Sequence, residues 1–107
     1  MQKNQLQDLI NNAEDAVVLL KKMAHIDRLL ILCHLSDGEI SAGDLSRRSH
    51  LSQSAFSQHL AILRHEQLIS TRRESQTIFY SLSNSQVVDV LKVLKQVFCQ
   101  DVGGNLE

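Results

Sequence analysis

The chain has 107 residues, enough for one domain, and 43% of them are hydrophobic although only 4% are aromatic, so its core must consist mainly of aliphatic side chains. No apolar run approaches the roughly 20 residues of a membrane span, and the first residues are too polar for a signal peptide, so we expect a cytoplasmic protein with two free thiols. The formal net charge of −1 alone argues against nucleic-acid binding, but residues 41–83 carry five Arg and only three acidic side chains.

Two helices are predicted at the start of the chain. Apolar residues recur at helical spacing through residues 6–22, which predicts one amphipathic helix. A second helix is predicted from about Asp27, as its N-cap, to Leu35. Because this second helix is apolar on nearly every side, it should lie centrally in the domain.

Residues 41–65 have the pattern of a helix-turn-helix. Ser41, with Asp44 three residues later, predicts the N-cap of a third helix that reaches about Ser49. Ser52 predicts the N-cap of a fourth helix that reaches about His65. Two short helices joined by so brief a turn are typical of a DNA-binding helix-turn-helix.

Residues 68–82 change from helical to alternating periodicity. Strands are predicted at 68–74 and 77–82 with a turn near Ser75 and Gln76, and a β-hairpin directly after a helix-turn-helix is a wing. Asn84 then predicts the N-cap of a last amphipathic helix that ends near Cys99. The predicted fold is mainly α with a small β-hairpin: a single winged helix-turn-helix domain over residues 1–107, with four helices, two strands and a fifth helix in that order.

The fourth helix is predicted to have a core face and a DNA-reading face. At 100° per residue, Phe56, Leu60 and Leu63 form a core stripe. The opposite face is polar and uncharged, which suits a major groove, because Gln can pair with adenine and Ser can bond bases or phosphates. An ordinary solvated face is the alternative, and the adjoining turn and hairpin favour DNA. The candidate DNA contacts of this helix and the wing are Ser52, Gln53, Ser54, Ser57, Gln58, His59, Arg72, Arg73 and Gln76.

Three of these candidates have structural alternatives. His59 lies between the two faces of its helix, where a buried histidine bonded to a backbone carbonyl is favoured over a base contact. Arg72 and Arg73 would reach the DNA backbone or the adjacent minor groove. Their alternative role is solubility and the protection of an edge strand.

A family resemblance rests on the stretch LSQSAFSQHL at 51–60, with Leu63-Arg64, Leu68-Ile69 and IFYSL at 78–82. These residues resemble the ArsR/SmtB winged-helix repressors, and the resemblance covers about residues 13–100. It implies a homodimer, built from helices at about 6–22 and 84–99, that binds an imperfect palindromic operator in double-stranded DNA. No cofactor, membrane contact or enzymatic activity is expected. The apolar stripe expected at the dimer interface consists of Val87, Val90, Leu91, Leu94, Val97 and Phe98.

The metal sites of this family are not matched. One site has a cysteine pair at the start of the third helix, where this chain has Ser41-Ala42-Gly43, and another needs a histidine on the last helix, whereas no His follows His65. Cys33 and Cys99 instead resemble the dithiol branch of the BigR, SqrR and HlyU type. That resemblance implies that persulfides or oxidants link the two thiols through a disulfide or polysulfide and so lower operator affinity.

Several alternatives remain open at the level of the sequence. The same DNA-binding protein could act as an activator that displaces a silencing protein, as in the HlyU type. Cys33, Cys99 and a histidine could bind a metal, or each cysteine could be a small core residue. The wing could serve protein contacts alone. A thiol oxidoreductase is disfavoured because the chain has no CxxC motif.

Overall fold

The structure, a computed structural model, describes residues 2–99 and has the predicted winged-helix architecture. Residue 1 and residues 100–107 of the predicted domain lie outside the described part. The elements in chain order are α1 (Lys3–Met23), α2 (Ile26–Leu35), β1 (Ile40–Ser41), α3 (Ala42–Arg48), α4 (Gln53–His65), β2 (Ile69–Glu74), β3 (Thr77–Leu82), α5 (Ser85–Leu94) and a π-helical turn (Lys95–Cys99).

Three of the predicted N-caps, Ser41, Ser52 and Asn84, are confirmed. Each side-chain oxygen accepts a hydrogen bond from a backbone N–H in the first turn of its helix, at 3.2, 3.1 and 2.8 Å respectively. The first N–H groups of a helix have no partner within the helix, so a side-chain acceptor at this position determines where the helix begins. The starts of α3, α4 and α5 are therefore encoded locally.

The predicted N-cap of α2, Asp27, is wrong. His25 occupies the N-cap position, and its Nδ1 accepts a hydrogen bond of 3.1 Å from the backbone N–H of Asp27. Asp27 therefore lies in the first turn of α2, where its carboxylate suits the positive end of the helix dipole. The capping pattern was misassigned because His is not among the usual N-cap residues.

The core lies beneath the helix-turn-helix, between α2, α3, α4, α5 and the sheet. Phe56, Leu60 and Leu63 of α4 are buried, which confirms the predicted core stripe of that helix. The other buried apolar residues are Met23, Ile31, Leu32, Leu35, Ile40, Leu45, Leu68, Ile69, Val87 and Leu91.

The predicted hairpin is part of a three-stranded antiparallel sheet with the order β1-β3-β2. β2 and β3 pair along their whole length around the predicted turn, where Ser75 has a φ of 57°. β1, in which Ile40 lies opposite Tyr80, was not predicted from the sequence. Two residues are too few to show a period, so only the partner strand reveals β1. It ties the wing to the residue before α3.

The end of α5 departs from the predicted helix. The α-helical part stops at Leu94, and residues through Cys99 form a π-helical turn. A π-helical turn has wider hydrogen-bond spacing than an α-helix, which rotates the following side chains about the helix axis. Such turns are found often at functional sites.

α1 lies largely outside the core. Met23 at the end of α1 is buried, whereas most other large apolar side chains of this helix are exposed. The exposed group consists of Leu6, Leu9, Ile10, Val17, Val18 and Leu20. In the described part of the chain, no helix is both long enough and apolar enough to cross a membrane.

Candidate DNA interface and thiol pair

α4 presents the polar face that the sequence predicts. Gln53, Ser54, Ser57 and Gln58 are all exposed on the side away from the buried residues of the helix. Gln53 accepts a hydrogen bond from Ser46 at 3.3 Å and donates one to Ser57 at 3.4 Å. Both hydrogen bonds are long and solvated, so the amide can exchange them for a base edge at little cost.

Ser52 and Gln76 are two further candidates, at the start of α4 and in the turn of the wing. The hydroxyl of Ser52 accepts a hydrogen bond from one N–H group in the first turn of α4. The other N–H groups of that turn have no partner within the helix and point outward from its end. Such groups suit a phosphate oxygen. Gln76 is exposed in the turn of the wing. Both residues are exposed, as a contact with DNA requires.

The two wing arginines have different environments. Arg72 donates through Nε and Nη2 to the carboxylate of Glu39, both at 2.7 Å, and through Nη1 to Glu74 at 2.6 Å. Its guanidinium also lies 4.5 Å from the centre of the Phe79 ring. These contacts lower the pKa of Glu39 and raise that of Arg72. The charge of Arg72 is thus balanced within the domain.

Arg73 follows Arg72 on β2 and is exposed. Successive side chains of a strand point to opposite faces, so Arg73 does not share the surroundings of Arg72. It forms no ion pair with any residue between 2 and 99. Of the two predicted DNA contacts in β2, Arg73 is the one whose charge is free to meet a phosphate.

His59 is turned inward from the exposed face of α4. Its side chain is only 16% exposed, and its Nε2 lies 3.9 Å from Oδ2 of Asp27. The predicted hydrogen bond to a backbone carbonyl is wrong: Nδ1 is buried and has no hydrogen-bond partner in the described chain. The structure therefore sets His59 apart from the exposed side chains with which the sequence analysis grouped it.

Cys33 and Cys99 border one cavity, although they are 66 positions apart in the sequence. The cavity, of about 190 Å³, lies between α2 and the π-helical turn, and its other lining residues are Leu29, Leu94, Lys95 and Phe98. Cys33 is half-buried and packs against the core, whereas Cys99 is exposed. The structure thus brings together the two thiols that the sequence analysis paired.

The surroundings of Cys33 act on its acidity in opposite directions. Burial raises the pKa of the Cys33 thiol, the nearby Lys95 ammonium lowers it, and the neighbouring Cys99 raises it, with a net rise. Lys95 is held by the hydroxyl of Ser36 and lies 3.7 Å from the carboxylate of Asp37. Cys33 is therefore protonated at neutral pH, and Lys95 is the group that favours its thiolate.

The predicted dimer stripe on α5 divides into two parts. Val87 and Leu91 are fully buried in the subunit core, so the assignment of these two residues to the dimer interface is wrong. Val97 and Phe98 of the stripe are exposed, Phe98 over 74% of its surface, whereas Val90 and Leu94 are partly buried. Val93, outside the predicted stripe, is exposed as well. These exposed residues and those of α1 make up most of the large apolar side chains that the described part of the subunit leaves uncovered; the others are Ile26, Leu30 and Ile62.

A cluster of histidines around Asp27 was missed by the sequence analysis. His25 and Asp27 begin α2, His50 lies in the turn between α3 and α4, and His59 lies on α4. Nε2 of His50 is 3.2 Å from Oδ1 of Asp27. These residues have no recognisable spacing in the sequence, because the packing of α4 on α2 brings them together.

Comparison with known proteins places this geometry among bacterial regulators. Residues 26–71 match the family described as bacterial regulatory protein, arsR family. The chain is 53% identical over 95 residues to the transcriptional activator HlyU of Vibrio cholerae serotype O1, over 89% of this chain and 88% of that protein. It is similar to the solved structure of HlyU from Vibrio vulnificus CMCP6, with a TM-score of 0.84, 47% identity and coverage of 89% and 99% of the two chains. The transcriptional repressor BigR from Xylella fastidiosa has a TM-score of 0.80 at 32% identity, with coverage of 92% and 98%.

Proposed function

The chain belongs to the arsR family of bacterial regulatory proteins and is a DNA-binding transcriptional regulator, and from this premise we propose that it is a repressor whose DNA affinity falls when Cys33 and Cys99 become linked. The effectors are persulfides or oxidants of the peroxide class. The observation that carries the proposal is the cavity that both thiols border between α2 and the π-helical turn.

The chemistry of the link fits this cavity. A disulfide forms when two thiols lose two protons and two electrons, which a hydroperoxide accepts as its O–O bond is reduced. A persulfide instead transfers its outer sulfur to one cysteine and leaves as a thiol; attack by the second thiol on the inner sulfur then closes a disulfide and releases hydrogen sulfide. When both cysteines have accepted a sulfur, attack of one persulfide on the inner sulfur of the other closes a trisulfide and again releases hydrogen sulfide. A disulfide needs the two Cα atoms about 4.4–6.8 Å apart, whereas added sulfur tolerates a wider gap. The apolar space around the thiols can accept such sulfur atoms.

The link would act through the dimer. We infer a homodimer in which the exposed apolar residues of α1 and of the end of α5 cover one another. Two copies of α4 then read half-sites about 34–36 Å apart, so a small rotation of the subunits changes the fit to an operator. Phe98 lies beside Cys99, so drawing Cys99 toward Cys33 moves a residue of the dimer surface.

A second candidate is a transcriptional activator that works by displacing a silencing protein. The observation that favours it is the 53% identity to a protein described as a transcriptional activator. Both candidates bind DNA through α4 and the wing, and both lose DNA affinity when the thiols are linked. They differ in the sign of the transcriptional response, which a reporter gene under the target promoter measures.

The proposal is tested by DNA binding before and after treatment with a persulfide donor. Fluorescence anisotropy with DNA from upstream of the protein's own coding sequence should show at least tenfold weaker binding after treatment, equivalent to about 1.4 kcal/mol. Intact-protein mass spectrometry should show a bridged subunit with two hydrogens lost and zero or more sulfurs added. A reductant should restore binding.

Cys33→Ser and Cys99→Ser are the matched variants. Each should bind DNA as the reduced parent protein does, and neither should respond to the donor. A single variant that still loses affinity like the parent would contradict the thiol switch. A bridged protein that holds DNA as tightly as the reduced protein would contradict it as well.

A further inference from the structure

The histidine cluster around Asp27 has the donor atoms of a metal site. One nitrogen each from His25 and His59 and one carboxylate oxygen of Asp27 lie within 4.8 Å of one another. Nδ1 of His25 is 4.0 Å and Nε2 of His59 is 3.9 Å from the same oxygen, Oδ2 of Asp27. Three ligand atoms from the start of α2 and from α4 therefore converge on one point.

Burial and ligand type both favour a cation at this point. The side chains of Asp27 and His59 are only 17% and 16% exposed, so competition from bulk water is reduced. The carboxylate of Asp27 supplies an oxygen ligand between the two imidazoles. Two imidazoles and a carboxylate, with water in the fourth position, are a ligand set that zinc uses in proteins.

His50 lies beside the second oxygen of this carboxylate. Its Nε2 lies 3.2 Å from Oδ1 of Asp27, whereas the two ligand histidines face the other oxygen, Oδ2. Metal-binding carboxylates commonly have a polar partner at the oxygen that does not bind the metal, and His50 is near enough to be that partner. Oδ2 remains available to a cation.

We propose that His25, Asp27 and His59 bind one divalent transition-metal cation per subunit, with His50 as the positioning residue of Asp27. Zinc–ligand distances of about 2.0–2.1 Å place tetrahedral ligands roughly 3.3 Å apart, so the three atoms must approach by about 1 Å. Nδ1 of His25 uses its one lone pair in the N-cap hydrogen bond of α2, so it binds the cation only by giving up that bond. Because His59 belongs to α4, the cation then joins the start of the core helix to the DNA-reading helix. The site is separate from the thiol pair.

The test uses the full chain with both cysteines replaced, Cys33→Ser and Cys99→Ser, so that no thiolate can bind metal. Titration with Co²⁺ should give visible d–d absorption bands without the near-ultraviolet band of a cobalt–thiolate bond. Zn²⁺ in competition with a chromophoric chelator then gives stoichiometry and affinity. We expect one cation per subunit.

Three variants of that protein locate the site. His25→Asn keeps a side-chain acceptor for the N-cap but removes the imidazole, and His59→Gln removes the second nitrogen ligand. Each should weaken Zn²⁺ binding by more than about tenfold. Loss of a residue that only hydrogen-bonds a zinc ligand already lowers affinity by about tenfold or more, and these variants remove a ligand itself. His65→Gln changes an exposed histidine at the end of α4 outside the cluster and should leave affinity unchanged.

Three results would overturn the site. The first is the absence of binding by the thiol-free protein, which would leave a cysteine-dependent metal site as the alternative. The second is unchanged affinity in His25→Asn, and the third is an equally large decrease in His65→Gln. Circular dichroism checks the fold of each variant. If His59→Gln fails to fold, the more exposed His25→Asn decides the question alone.

Discussion

Cys33 and Cys99 differ in their surroundings, and a thiol reacts as its thiolate. Cys33 packs against the core, and its raised pKa reflects that burial. Lys95 is the cation that opposes the rise. Cys99 is exposed. In the proposed switch we therefore expect the exposed sulfur to meet the effector first and the half-buried sulfur to close the bridge.

This difference predicts the pH dependence of alkylation at Cys33. In Cys99→Ser protein, the reaction of Cys33 with iodoacetamide should be slow at neutral pH. Because the pKa is raised, the rate should climb about tenfold per pH unit and level off only above the ordinary thiol pKa. Lys95→Gln should slow the reaction further at any pH below that plateau. Intact-protein mass spectrometry over time measures these rates.

Cys33→Ser protein, in which only Cys99 reacts, is the reference for accessibility. Unfolding both single-cysteine proteins in denaturant should make their rates similar, because the surroundings of the two thiols are then alike. Equal folded-state rates at neutral pH, or no effect of Lys95→Gln on Cys33, would show that the described environment does not govern reactivity.

At the scale of elements, the wing uses its two arginines differently. Arg72 joins β2 to Glu39, which precedes β1, so it stabilises the attachment of the hairpin. Arg73 is exposed on the same strand and is unpaired within residues 2–99. Adjacent positions on one strand thus have different surroundings, and we expect a structural role for Arg72 and a DNA contact for Arg73.

Substitution of these arginines should separate the two roles. Arg73→Ala should weaken binding to all DNA sequences and lower the slope of log affinity against log salt by up to about 0.9 for each phosphate that a subunit no longer neutralises. Arg72→Ala should change that slope less and lower the melting temperature of the protein. Anisotropy titrations at several salt concentrations measure the slopes. An equal change of slope in both variants would place both side chains at phosphates.

At the scale of the whole molecule, the main open question is what covers the exposed apolar side chains of α1 and of the end of α5. α1 leaves six large apolar side chains exposed, and the end of α5 adds Val93, Val97 and Phe98. A chain of this length cannot cover its long terminal helices with its own core. A second copy of the chain can cover them, since the same surface is present on each.

The dimer interface is tested at exposed apolar residues of the π-helical turn. Phe98→Glu and Val97→Glu should convert the dimer to a folded monomer with half the mass by light scattering, and operator affinity should fall in parallel. Gln86→Glu adds the same charge at an exposed position at the start of α5 and should leave the dimer intact. Leu91→Glu should unfold the subunit instead, because it buries a charge in the core. A dimer that persists in Phe98→Glu would contradict this interface.

Most of the local structure of this chain could be predicted from its sequence. The caps at Ser41, Ser52 and Asn84 satisfy N–H groups two or three residues away, and the turn at Ser75 closes a hairpin of adjacent strands. Periodicity likewise separated the buried and exposed faces of α4. These features depend on contacts that are short in sequence, so residue type and spacing specify them.

The tertiary structure decided what depends on packing between distant elements. Leu91 and Phe98 belong to one predicted stripe, yet the core and the π-helical turn place one inside and the other outside. Glu39 reaches Arg72 across 33 positions because β1 joins the sheet. The cavity shared by the two thiols and the cluster around Asp27 arise in the same way. Contacts of this kind follow from how helices and strands pack together, which no local pattern of residues encodes.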